Sequence, residues 1–256
     1  MTPDDPLRFA VGTFTRLPVL PPSEVDATVA GRGLAMAPAV GAVIGLVSGA
    51  LLLVTGVDLV ARLLSATLVV ALAAWITRGL HWDGLADVAD GLGSAAPPER
   101  AREIMRRSDI GPFGVLALGF TIALQVLSIA QLPAGAPALA AWVLAVTLGR
   151  LAVAVACGPW AHAARTDGLG ATAIGSVTSA RLVVAGALAA TVAVLAARAG
   201  PLPWSAALLW GPLAAIGVAL GLGWLAGRRF GGSSGDVLGA TTELATLAVL
   251  LMLALQ

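Results

Sequence analysis

The sequence predicts an all-α protein: a polytopic integral membrane helix bundle of about seven transmembrane helices, with active-site connections facing the cytoplasm. Three observations predict it. First, the 256 residues are 58% hydrophobic and only 11% charged, with a mean hydropathy of +0.93. A soluble domain carries about 25% charged residues, so this chain cannot clothe a core for life in water. Second, its apolar residues gather in seven runs near the length of about 20 residues that a bilayer-crossing helix needs. Third, its ionisable residues collect in the connections of one side. This composition excludes a soluble enzyme, a disordered chain and a nucleic-acid binder, and a net charge of +1 offers polyanions no basic field.

Taken in order, residues 1–35 contain prolines and mixed charges, and the first apolar run begins too late for a secretory signal. Phe9, Phe14, Leu17 and Val19 suit a short helix at the membrane interface. Residues 36–256 form the bundle, and the whole of 1–256 is read as a single membrane domain. The predicted spans are 36–56, 63–82, 111–132, 137–157, 182–199, 204–226 and 237–256. Small residues recur within them, as in GAVIG (41–45) and GVALG (217–221), and small residues let helices approach closely. The single cysteine, Cys157, excludes a disulfide framework and reads as a small buried hydrophobe. All fifteen cations are arginine, which reads as genome composition before function.

Arginine placement orients the bundle. With seven spans, one face receives Arg8, Arg16, Arg32, Arg78, Arg100, Arg102, Arg106, Arg107, Arg165, Arg181, Arg228 and Arg229. The other receives Arg62 and Arg198, and Arg150 falls inside a span. Twelve against two places the amino end in the cytoplasm and the carboxyl end outside. The acidic residues Asp83, Asp87, Asp90, Glu99, Glu103, Asp109, Asp167 and Asp236 share the cytoplasmic side. An enzyme acting on charged cytosolic substrates needs that asymmetry, and a structural protein does not.

The strongest local pattern is RGLHWDGLADVADG, Arg78 to Gly91. Asp83, Asp87 and Asp90 recur at i, i+4 and i+7, which puts all three on one stripe of a helix. Two carboxylates about 6 Å apart repel by roughly 3 kcal/mol at an effective dielectric near 20. Mg²⁺ is the natural compensation, since it takes carboxylate oxygens together with substrate phosphates. A solvated acidic face, or pairing with nearby arginines, would also account for the stripe. Gly84, Gly91 and Gly93 favour the metal reading by removing bulk beside the carboxylates.

Downstream, ERAREIMRRSDIGPFG reads as a charged helix ending near Asp109, with Gly111 and Pro112 marking its stop. Arg102, Arg106 and Arg107 suit a pyrophosphate or an ordinary positive-inside flank equally well. The last connection, RRFGGSSGD (228–236), is a glycine-rich turn in which Ser233, Ser234 and Asp236 surround backbone able to cradle phosphate. Arg150 and Glu243 lie within spans, so they should face the bundle interior, and mutual pairing is the preferred reading. His81 adjoins the acidic stripe, where it suits a phosphate contact or a general base. His162, beside Trp160, reads as structural.

These segments resemble the cobalamin synthase (adenosylcobinamide-GDP ribazoletransferase) family along nearly the whole chain. The resemblance rests on FTRLPV (14–19), GLHWDGLADVADG (79–91), EIMRRSDIGPFGVLAL (103–118), ARTDGLG (164–170) and GGSSGDVLGATTEL (231–244). Where many relatives have an aspartate and then an arginine two residues on, this chain has Arg107 and Asp109, so the charges are exchanged. Ser233-Ser234 replaces a frequent glutamine–threonine pair.

The resemblance implies Mg²⁺-dependent phosphoryl transfer in a bacterial cytoplasmic (inner) membrane. Adenosylcobinamide-GDP and α-ribazole, or its 5′-phosphate, would be joined with release of GMP, a late step of cobalamin biosynthesis. Within that reading Asp83, Asp87 and Asp90 hold the metal. Asp90 is the first choice for general base and His81 the second, and Asp109, shifted two residues from the family's aspartate, is a further catalytic candidate. Arg16, Arg78, Arg106, Ser233, Ser234 and Asp236 are the substrate contacts. Two other functions compete: a CDP-alcohol phosphotransferase acting on lipid, and a small transporter using Arg150 and Glu243. The aspartate spacing lacks the first one's D-x-x-D-G-x-x-A-R form, and the second predicts polarity at the bilayer midplane instead of one interface.

Overall fold

The computed structural model describes residues 2–199, 203 and 205–255. Seven of its helices are long and apolar enough to cross a membrane, which makes the chain an integral membrane protein. They are α3 (Ala37–Gly49, prolonged by a 3₁₀ turn Ala50–Val54), α4 (Leu59–Ile76), α7 (Pro112–Gln131), α8 (Ala136–Ala156), α10 (Ser179–Ala199), α11 (Gly211–Phe230, entered through a π turn Ala206–Trp210) and α12 (Gly235–Ala254). Five shorter helices lie between or before them: α1 (Asp5–Phe14), α2 (Ala27–Ala35), α5 (Leu80–Gly93), α6 (Pro98–Ile104) and α9 (Gly168–Ala173). Among the described residues no strand forms, and one isolated parallel bridge joins Ala163 to Ser233.

Helix α8 is the axle. Of its span, 94% is buried, against 17% for α4, which lies on the lipid-facing side. α3, α10, α11 and α12 all pack on it. Gly41, Gly45 and Gly49 of α3 recur every fourth residue, and two of them meet α8 backbone directly. A Cβ on Gly41 would sit 2.9 Å from the Val146 carbonyl oxygen, and one on Gly45 would sit 2.9 Å from the Val143 Cα. The GAVIG motif is therefore a helix–helix seam. GVALG is not, because Gly217 and Gly221 face open space.

Three predicted boundaries needed correction. The span expected at 63–82 is two helices, α4 and α5, because the backbone turns left-handed at Arg78 (φ 59°) and Gly79 (φ 68°). α4 also starts earlier than expected, because the Asp58 carboxylate accepts from the Ala61 N–H at 2.9 Å and caps it. Gly111 and Pro112 do not stop a helix; they open α7, with Gly111 as N-cap and Pro112 in the first turn, where its missing N–H costs nothing. The charged helix before them, α6, ends at Ile104. The predicted outer ends at Trp204 and Gln256 lie outside the described residues.

The amino-terminal segment is helical, as expected of it, and it is anchored. Asp5 is fully buried and accepts from the Ser23 hydroxyl at 2.6 Å and the Thr2 N–H at 2.6 Å, tying α1 to the linker that follows. These contacts, the Ser23 hydroxyl foremost, hold its carboxyl well below the usual range. Phe9 and Phe14 are buried, whereas Leu17 and Val19 remain exposed.

Candidate active site

The site forms where α5 crosses the start of α12. The crossing is close because glycines stand at it. A Cβ on Gly84 would meet the Asp236 carbonyl oxygen at 2.7 Å, and one on Gly239 would meet His81 backbone at 3.2 Å. With no side chain between the two backbones, Asp83 and Asp87 of α5 come near Asp236 of α12. Asp83 is exposed, and Asp87 and Asp236 are half-buried. Burial first, then the charges of Asp83, Asp236 and Asp90, push the Asp87 carboxyl up to about 7. Negative charge has thus been concentrated beyond what the surrounding protein neutralises.

Asp90 departs from its predicted role. Its oxygens accept the backbone N–H groups of Gly111 (2.7 Å) and Gly114 (2.9 Å), so it satisfies the opening amides of α7 from a neighbouring helix. That draws the buried carboxylate away from the other two, and the three aspartates of the stripe do not converge. Among the described residues no three His, Cys, Asp or Glu side chains form a ready-made metal cluster. His81 is also displaced from its expected place. It lies in the bundle interior, 4% exposed, stacked on Phe14 with ring centroids 5.8 Å apart. Its Nδ1 is 3.9 Å from Glu243 Oε1 and makes no hydrogen bond. Burial, and then Arg150, push its pKa well down.

Beside the crossing opens a cavity of about 290 Å³, and Asp236 belongs to both. Its walls carry Arg102, Arg106 and Arg165, the Ser233–Ser234 loop and Asp167. α12 begins there, and the N-terminal end of a helix favours anions. Ser234 caps that helix weakly, 3.4 Å from the Val237 N–H, while its hydroxyl donates to Asp236 Oδ2 at 3.2 Å. Arg102 donates to the Phe230 carbonyl at 2.7 Å, fastening α6 to the end of α11. Arg106 uses only its Nε, on the Arg102 carbonyl, which leaves the rest of its fork for a ligand. Arg165 forms a two-pronged contact with Asp167 at 3.0 and 3.1 Å.

Of the predicted substrate contacts, Arg106, Ser233, Ser234 and Asp236 come together on this cavity. Arg16 and Arg78 do not. Arg16 stacks over Trp75 at 3.9 Å, and Arg78 donates to the Gly12 carbonyl at 2.9 Å, so both bind the amino-terminal segment to the end of α4. Asp109 is exposed and lines no part of the cavity. Arg165 and Asp167 carried no role in the sequence reading. Their signal was the ARTDGLG segment, whose contact with the Ser233 loop is visible only in three dimensions.

The fold and this site define an integral membrane protein that gathers carboxylates and arginines at one end of its bundle, an arrangement suited to a phosphate-bearing ligand and a divalent cation. The chain belongs to the cobalamin-5-phosphate synthase family, whose model matches residues 6–254. It is 37% identical to an adenosylcobinamide-GDP ribazoletransferase of Frankia casuarinae, over 97% of this chain and 94% of that protein. It is 39% identical to one of a Nocardioides species, over 96% of this chain and 97% of that protein. It is 40% identical to one of Citrobacter koseri, over 87% of each. No solved structure matches the chain.

Proposed function

We propose that this protein is an adenosylcobinamide-GDP ribazoletransferase that works at the cytoplasmic face of a bacterial inner membrane. The observation that carries the reading is the meeting of Asp83, Asp87 and Asp236 beside an arginine-walled cavity, in a chain of this family. In the reaction a ribose hydroxyl of α-ribazole, or of its 5′-phosphate, forms a bond to the phosphorus on the cobinamide arm. The bond from that phosphorus to GMP breaks, and the hydroxyl proton passes to a base.

The donor set fits Mg²⁺: hard carboxylate oxygens stand on two helices, with the Asp87 carboxyl half-buried and crowded by the like charges of Asp83 and Asp236. Asp83 and Asp87 would hold the ion, which binds proteins through one or two carboxylates and completes its shell with water and substrate phosphate. When bound it neutralises the pyrophosphate and stabilises the leaving oxygen. Arg106 and Arg165 grip phosphate oxygens, as a planar guanidinium does best. The opening amides of α12 face the same charge. Asp236 is the carboxylate of the group that lines the cavity, and it takes the hydroxyl proton. Asp90 and His81 are assigned no chemical step: one holds α7 in place and the other is sealed inside the bundle.

Washed membranes containing the protein should release GMP only when the corrinoid nucleotide, ribazole and Mg²⁺ are all supplied. GMP release without ribazole, or transfer to a lipid alcohol instead, would overturn the reading.

A further inference from the structure

A second cavity, of about 430 Å³, lies between the turn after α8 and one face of α11. Trp160, His162 and Trp224 line it, and so do Gly223 and Gly227. Neither of those glycines has a neighbouring heavy atom within 4 Å of where a Cβ would stand, so they keep the floor of the cavity open. Trp160 is seated against backbone, because a Cβ on Gly158 would fall 2.6 Å from its ring.

The two cavities share one wall. The Ser233 N–H donates to the His162 carbonyl and the Ala164 N–H donates to the Ser233 carbonyl, each at 2.8 Å. That small bridge sets Ser233 on both cavities at once. A ligand lying in the second cavity can therefore reach the Ser233 loop of the first.

The chemistry of the walls differs as well. The first cavity carries two carboxylates and three arginines, whereas no carboxylate lines the second and its one arginine neighbour, Arg228, stacks over the Trp224 ring at 4.5 Å. A guanine edge presents N–H donors and calls for a carboxylate or comparable acceptors. A benzimidazole joined to ribose presents no N–H at all, only flat apolar faces and one ring nitrogen. Indole walls, an imidazole and a glycine floor suit that second kind of base, since ring stacking needs faces and not a hydrogen-bonded edge.

We propose that the second cavity is the base subsite for ribazole. The fused ring lies between α11 and the Trp160 turn, and the ribose points past Ser233 toward the first cavity, where the phosphates sit. The proposal rests on the ribazoletransferase reading and assigns the two substrates to separate cavities.

The test uses the full chain in membranes. A Cβ at Gly227 has no neighbour within 4 Å, so Gly227→Val adds bulk to the open floor from a position with space, with matched melting temperature as its control, and Trp160→Leu removes a wall. Each should raise the KM for ribazole about tenfold or more, the loss expected for one stacking contact. KM for the corrinoid nucleotide, and kcat at saturating ribazole, should stay unchanged. Equilibrium dialysis with α-ribazole alone should show binding to the wild type and loss in Gly227→Val. A rise confined to the corrinoid nucleotide KM would place guanine in this cavity and overturn the proposal. Unchanged values for both substrates would leave the tryptophans as interfacial anchors and overturn it equally. Wild-type membranes that release no GMP in response to ribazole, in an assay where a known ribazoletransferase succeeds, would instead sink the functional reading beneath it.

Discussion

Helices α5 and α12 meet at two polar places, and the two are built on opposite principles. At the end of the bundle Asp83 and Asp87 face Asp236, three like charges that form no ion pair with a cation among the described residues. Two turns along α12, Glu243 meets His81, with Gln125 from α7 and Arg150 from α8 beside it. There the signs are mixed, and the Gln125 side-chain amide donates to Glu243 Oε2 at 3.2 Å. Gln125, Arg150 and Glu243 share a cavity of about 10 Å³, the volume of one water. Unpartnered Gln125 Oε1 and Arg150 Nε need a donor and an acceptor respectively, and one water is both. The inner group carries both signs, is sealed in the bundle with room for little more than a water, and ties α5, α7, α8 and α12 together. The outer group is complete only with something from outside, which is what a working site requires.

The comparison can be broken in four places. The largest effect is expected inside. The pairing expected of Arg150 and Glu243 does not form as a direct ion pair, but Glu243 is the carboxylate whose charge reaches buried Arg150 in the same small cavity. Glu243→Leu leaves that cation uncompensated, at a cost of about 3–5 kcal/mol. Thermal melting in detergent should show that loss, and Arg150→Met in the same chain should recover much of it. A single-variant loss below about 0.5 kcal/mol would mean that the inner group binds nothing.

Asp87→Asn comes next. It keeps shape, removes charge from the outer group, and should lower turnover at least about a hundredfold, as the loss of one strong electrostatic contributor does. Melting should be unaffected or slightly raised, since repulsion is relieved. Full activity at ordinary Mg²⁺, with protein amounts matched, returns the stripe to a solvated acidic face.

Gly84→Ala sharpens the geometry. Its Cβ would meet Asp236 backbone on a helix that cannot yield cheaply, and overpacking of this kind costs about 1–3 kcal/mol. Turnover should fall about tenfold and the Mg²⁺ requirement should rise, because α5 is pushed off α12. Unchanged Mg²⁺ titration would show that the crossing does not set the site.

The smallest effect belongs to Asp5, a control outside both groups. Its carboxyl is held low by Ser23 and Thr2, so the stabilisation is present above the unfolded value of about 3.9 and fades as pH falls through the folded one. Below about pH 4 the wild type should lose melting temperature more steeply than Asp5→Asn. Parallel curves would show that the tie contributes nothing to folding.

The spans were legible because a bilayer reads only length and apolarity, and both are local. The break between α4 and α5 was hidden because apolar residues continue through Gly79, Leu80 and Trp82. Only the left-handed backbone at Arg78 and Gly79 separates the helices. The aspartate stripe was legible as a pattern, but its membership was not. Asp90 is drawn off by amides 21 and 24 residues away, a distance over which helical periodicity is silent. Arg16 and Arg78 looked like phosphate ligands because an arginine shows its charge in sequence and hides its partner. The partner here is a tryptophan face for one and a carbonyl for the other. Asp236 was legible in its loop but not as the third carboxylate, because that role depends on Gly84 and Gly239 letting two distant helices touch.

The central position of α8 bears on how the protein is made. α10, α11 and α12 all pack against α8, yet each leaves the ribosome after it. Arg150 must therefore enter the membrane well before Glu243 exists, and at about 5–20 residues per second the wait lasts on the order of several seconds. Until α12 arrives, the growing chain carries a guanidinium with no carboxylate and a site with no Asp236. A chain cut short before α12 is thus both inactive and marked by an unmatched charge in the membrane. Insertion of α12 thus supplies the carboxylate for Arg150 and the Asp236 of the site in a single event.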